Sequence, residues 1–223
     1  EGFSLASTKI THRMILGLWA REKQGKSHFA LTAPGPIAYF NFDKSDEDVL
    51  PKFAADKEIH HKQYSVEYVD KRPYRYADKS SHAREQLIEL EKERYQNMID
   101  KFTGDYVAAL GIEGLRTIII DTDTALWNAK QMAEFGRSAQ NNKFAYGPLN
   151  TDMSELIRLA GESDKNVIFC GRAGKLYEGD NWYGAYERKG WKDLAFEVQI
   201  NVRLYRDEEA PHAFHCQIEN SSQ

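Results

Sequence analysis

Gly25-Lys26-Ser27 stands between an apolar run, Met14–Trp19, and a stretch with a helical pattern, about Lys26–Thr32. These residue types in this order suit the binding of a polyphosphate. Glycine lets the backbone turn tightly and come close to a ligand. The N–H groups that open a helix lack partners inside it, and the helix dipole favours an anion there. Lysine brings a point charge to β- and γ-phosphates, and a serine hydroxyl is a ligand for Mg²⁺. The phosphate-loop pattern G-x-x-x-x-G-K-[ST] is met at Gly25, Lys26 and Ser27, and Ala20 holds the first glycine's place. The expected loop is Ala20, Arg21, Glu22, Lys23, Gln24, Gly25, Lys26, Ser27 and His28. An ordinary helix cap at Ser27 is the alternative for a triplet standing alone.

A second half of such a site follows downstream. Leu115–Asp121 is an apolar, β-branched run ending in an acid, and Asp121 lies where α/β sheets hold ligands. Beside a phosphate loop, Asp121 would share Mg²⁺ with Ser27. Asp43 ends the strand expected at Ile37–Phe42 and would orient an attacking water, with a turn or cap aspartate as the equal alternative. Arg172 follows the strand Asn166–Cys170 and would sense the γ-phosphate, or else is a surface arginine. Asp123 would position water or cap the next helix, and Thr124 is read as the cap.

These residues need a scaffold of alternating strands and helices. Strands are expected at Met14–Trp19, Ile37–Phe42, Leu115–Asp121, Asn166–Cys170 and Phe196–Arg206, with Ala213–Ile218 closing a hairpin. Helices are expected at Lys26–Thr32, 82–110, Ala125–Glu134 and Asn150–Ser163. Residues 1–13 are read as a strand or arm, and 44–82 show no clear period. The alternation predicts a three-layer α/β fold with a mainly parallel sheet and a C-terminal β-hairpin. The organisation expected is one domain over 1–223, with 44–110 a charged, partly helical insertion.

Composition narrows the classes. A chain of 223 residues has room for a sizeable core, and its net charge of −4 gives no global signature of nucleic-acid binding, so any such site must be local. Two cysteines, Cys170 and Cys216, exclude a disulfide scaffold and point to a reducing compartment, so the cytoplasm is expected. No apolar run is long enough for a membrane span and no secretory leader is expected. His212, His215 and Cys216 do not match a zinc spacing, and a strand with His215 outward and Cys216 inward explains them better.

The motifs taken together resemble a RecA-like P-loop ATPase, and more narrowly the phage-encoded single-strand annealing and recombination type. The resemblance rests on the phosphate loop, on Arg116–Trp127, Tyr146–Asn150 and Trp182–Trp191, and on the closing strand Val198–Asp207, and it spans about residues 12–207. It implies ATP and Mg²⁺ as cofactors, with Lys26, Asp43, Asp121 and Arg172 as catalytic residues and Thr117–Asp121 as the Walker B strand. It also implies a homo-oligomeric ring or filament, single-stranded DNA as a partner, a single-strand DNA-binding protein as a further one, and the host cytoplasm if phage-encoded.

In such folds the segment after the sensor strand faces DNA. Here it carries Lys175, Arg188 and Lys189 among Tyr177, Trp182 and Tyr186, the mix of cations and rings that single-strand binders use. A β-hairpin whose aromatics pack on the sheet is the alternative. Lys71–Lys79 is a second basic and aromatic stretch, read as a solvated loop. Two other functions stay open: a nucleotide-binding assembly or regulatory protein with little hydrolysis, and a small-molecule or nucleotide kinase on the same loop.

Overall fold

The computed structural model describes residues 13–43, 48–67, 82–136, 146–179, 181–207, 210 and 213–221. The arm at residues 1–12, the basic stretch Lys71–Lys79 and His212 lie outside them. The chain forms β1 (Ile15–Ala20), α1 (Lys26–Leu31), β2 (Ile37–Asn41), α2 (Leu50–Ala54), β3 (Ile59–Gln63) and α3 (His82–Gly111). It continues through β4 (Thr117–Asp121), α4 (Asp123–Phe135), α5 (Gly147–Glu162), β5 (Asn166–Glu178), β6 (Asn181–Arg188), α6 (Leu194–Glu197), β7 (Ile200–Arg206) and β8 (Phe214–Ser221).

The main sheet has the order β3-β2-β4-β5-β1-β7-β8. Every neighbour pair from β3 to β7 is parallel, and β8 returns antiparallel to β7. The apolar runs become central strands because both faces are covered. Leu16, Leu18, Ile119 and Ile168 pack with Ala30 and Leu31 of α1 on one face. Ile118, Ile120 and Phe169 pack with Phe102, Trp127, Met153 and Leu194 of α3 to α6 on the other. The long helix α3 is charged over most of its surface and buries Ile99, Phe102, Tyr106 and Ala109. Among the described residues no helix is long and apolar enough to cross a membrane.

Several boundaries differ from the sequence expectation. β5 does not stop at Cys170 but runs to Glu178, because past the sheet it exchanges β1 and β4 for the antiparallel partner β6. Residues 196–199 do not begin a strand: α6 occupies Leu194–Glu197, with Phe196 exposed and Leu194 and Val198 buried, a spacing of four that fits a helical turn. The aperiodic 44–82 stretch contains α2 and the edge strand β3, whose alternation is hidden by the polar residues His60, His61 and Lys62. In β8 the expected orientation is reversed. Cys216 is exposed, and His215 is drawn back by stacking on Tyr205, with ring centroids 5.2 Å apart. The cap of α4 is Thr122, whose side chain accepts from the Ala125 N–H, and not Thr124.

Candidate nucleotide-binding site

β1 ends at Ala20, which is buried and pairs in register with Arg172 on one side and Leu204 on the other. The chain then turns through Arg21–Gln24 and enters α1 at Gly25. Gly25 has φ 81°, a left-handed conformation that glycine takes without penalty. A Cβ there would also lie 2.8 Å from the Phe214 ring, so β8 closes over the loop at this glycine.

Lys26 and Ser27 follow, and both turn to the same carboxylate. Lys26 Nζ donates to Asp121 Oδ1 at 2.5 Å, and Ser27 Oγ donates to Asp121 Oδ2 at 2.5 Å. The register explains the meeting. β5 lies between β1 and β4, with Leu18 and Asp121 both opposite Cys170, so the ends of the two outer strands converge over it. A third donor was not anticipated: Tyr39 OH, from β2, reaches Asp121 Oδ2 at 2.7 Å. The available signal was a tyrosine in the middle of a buried strand, where the phenol needs a partner.

The electrostatics follow from burial. The Asp121 side chain is 2% exposed and that of Lys26 13%. Burial disfavours the Lys26 ammonium, but the adjacent Asp121 carboxylate more than offsets this and holds its pKa above the ordinary lysine value. Burial first, and then the Asp121 charge, push the Tyr39 phenol far above its ordinary value, so it stays an O–H donor. The same two causes raise the Cys170 thiol, which is part of the core.

Around this centre lies a cleft of about 780 Å³, lined by the whole loop Ala20–His28 and also by Asp43, Arg172, Asp48, Val49, Lys52 and Arg206. The last four were not singled out as site residues: Asp48 and Val49 lead into α2, Lys52 lies within it, and Arg206 ends β7. Asp43 and Arg172 meet: Arg172 Nη2 donates to Asp43 Oδ2 at 2.7 Å. The Arg172 backbone N–H is in turn held by Thr124 Oγ1 at 2.9 Å, and Thr124 also donates to the Lys189 carbonyl at 3.1 Å.

The β5–β6 hairpin projects beyond the sheet from this edge. Tyr177 and Trp182 pair across it and are both half exposed, and Lys175 Nζ lies 4.9 Å from the Trp182 ring centroid. Tyr186 carries the Arg21 guanidinium on its face at 4.5 Å. Lys189 pairs with Glu187 on the surface. Arg188 points inward instead, into an ion pair with Asp123. Gly171 permits this, since a Cβ there would fall 2.9 Å from the Arg188 guanidinium carbon.

Comparison with known proteins bears on the family and the fold. A family model described as an AAA domain matches residues 12–203. The fold is similar to the crystal structure of the RadB recombinase, with a TM-score of 0.51 and 9% sequence identity over 94% of this chain and 81% of that one. No curated protein matches the sequence. The fold is that of a RecA-like core carrying a phosphate loop and a C-terminal antiparallel hairpin.

Proposed function

We propose that this chain, which belongs to the AAA domain family, is a Mg²⁺-dependent ATPase that acts on single-stranded DNA in recombination or annealing, working as a ring or filament of identical subunits. The observation that carries the reading is the convergence of Lys26 and Ser27 on the buried Asp121 beside a left-handed Gly25. Likeness to a protein titled a recombinase supports the DNA part. The phage assignment rests on the sequence resemblance alone.

The residues present fit both ligands. Ser27 and Asp121 offer only oxygen donors, the chemistry that Mg²⁺ takes. When bound, the ion neutralises charge on the β- and γ-phosphate oxygens. The loop N–H groups from Gly25 onward hold the phosphates. Lys26 exchanges one anion for another on binding them and so keeps its charge throughout. Ser27 and Tyr39 remain as donors that fix the orientation of Asp121. Asp43 orients the attacking water, and Arg172 links that carboxylate to the end of β5 and the base of the hairpin.

One observation favours the second reading, a nucleotide-binding assembly protein with little hydrolysis. Arg172 takes one oxygen of the Asp43 carboxylate and so competes with the attacking water for that oxygen.

Phosphate release from ATP with Mg²⁺, with and without single-stranded DNA, tests the proposal on wild type, Lys26→Ala and Arg172→Ala. Stimulation by DNA that Lys26→Ala abolishes is the expected result. Tight ATP binding without release in either condition would replace it with the assembly reading. Consumption of ATP that depends on a small acceptor and not on a polynucleotide would make the chain a kinase.

A further inference from the structure

A second cleft, of about 560 Å³, opens between the β5–β6 hairpin and the β7–β8 hairpin. Arg21, Gln24 and Arg206 line both this cleft and the phosphate cleft, so the two adjoin across the loop. Its remaining wall is built of cations laid on rings. The Arg203 guanidinium lies 5.2 Å from the Trp19 ring centroid and 5.8 Å from that of Tyr205. Tyr205 stacks on His215 with planes 16° apart, and Arg21 covers Tyr186. Asp207 is the one carboxylate lining it among the described residues. In a chain of net charge −4 this local excess of cations is set against the overall balance.

The chemistry of such a wall is specific. A guanidinium lying over a ring is attracted to its face and still has N–H groups that can meet phosphate oxygens. Paired rings offer a face on which any base stacks. The volume falls within the range, about 300–1,000 Å³, of sites that enclose small-molecule-sized groups, which admits single nucleotide units and no duplex. The cleft is continuous with the Lys175–Trp182 face of the same hairpin through Tyr186, which also contacts Trp182 edge to face.

We propose that this cleft holds one or two nucleotide units of a single strand, with backbone phosphates on Arg203 and Arg21 and a base on the Tyr205–His215 pair. The inference rests on the nucleic-acid reading above. It adds the C-terminal hairpin as a second wall of the binding path, and makes Arg21 of the phosphate loop the element shared by strand and nucleotide.

Binding of a labelled oligothymidylate to the intact protein, followed by anisotropy over a range of salt, tests it. The variants are Arg203→Ala, Arg203→Lys, Tyr205→Leu and the hairpin pair Lys175→Ala/Trp182→Ala, each with its melting temperature measured to establish folding. Arg203→Ala is expected to weaken binding about tenfold and to lower the salt slope by about one. Arg203→Lys restores the slope, and Tyr205→Leu weakens binding with the slope intact. If the cleft variants bind like wild type while the hairpin pair is weakened, the cleft proposal falls and the single-strand reading stands. If wild type binds no oligonucleotide, both fall. If thymidine monophosphate competes as well as the strand does per nucleotide, the cleft is a mononucleotide site and the proposal is overturned.

Discussion

Arg188 and Asp123 form an ion pair under the base of the β5–β6 hairpin, with side chains 9% and 2% exposed. Asp123 opens α4 just past Asp121, so the pair ties the projecting hairpin to the strand end that carries the site. Breaking a buried pair leaves a bare charge and costs about 3–5 kcal/mol, whereas replacing both partners by apolar residues is often close to neutral. Arg188 Nε and Nη1 are also buried with no hydrogen-bond partner among the described residues, which lowers the value of the intact pair further. Arg188→Met and Asp123→Leu are each expected to destabilise strongly, and the double variant to recover most of the loss. Urea unfolding of the cycle checks this. Additive losses would show that the pair is not coupled.

Tyr39 is fully buried and its hydroxyl has a charged acceptor in Asp121. A hydrogen bond to a charged group contributes about 1.5–3 kcal/mol. Tyr39→Phe should lose about that much stability, with no change of core volume to confuse the result. It should also weaken Mg²⁺-dependent nucleotide binding, because Asp121 then turns more freely. Unchanged stability in chemical denaturation would mean that water replaces the phenol.

Gly25→Ala meets two obstacles. The left-handed backbone costs a residue with a Cβ about 1–2 kcal/mol, and that Cβ would sit against Phe214. Phe214→Ala removes only the second. The double variant should therefore regain part of the melting temperature lost by Gly25→Ala and little of the affinity for a fluorescent ATP analogue. Full recovery of both would locate the whole penalty in the ring contact.

The pH dependence of stability has a local source at Asp105 in α3. Burial tends to raise its pKa, but bonds from Lys62 at 2.5 Å and Tyr64 at 2.7 Å hold it below the ordinary 3.8. A depressed carboxylate contributes stability above its unfolded pKa and loses it as pH falls through the folded one. Stability should thus fall below pH 3.8, a loss that Asp105→Asn lacks. Tyr64 has the opposite sign. Burial and then Asp105 raise its phenol above 10.0, so its contribution is complete below that pH and drains away above it. Tyr64→Phe should flatten the alkaline limb of the same thermal-melt profile.

Much of this protein was legible in its sequence because the physics is local. A glycine, a lysine and a hydroxyl in fixed order make a phosphate loop, and runs such as Ile118–Ile120 are too apolar to be anything but a covered strand. The sequence of strands along the chain, with Asp121 ending β4 and Asp43 two residues past the end of β2, followed from the same runs. Tertiary structure decided what depends on register and on distant partners. Tyr39 reaches Asp121 only because β2 and β4 are neighbours, 82 positions apart in the chain. Arg188, read from sequence as one cation among several, turns inward because Asp123 waits beneath Gly171. Arg203, Tyr205 and His215 show no common site in the sequence, and become a cation-lined cleft because β7 returns beside β1 and sets them opposite Arg21 and Tyr186.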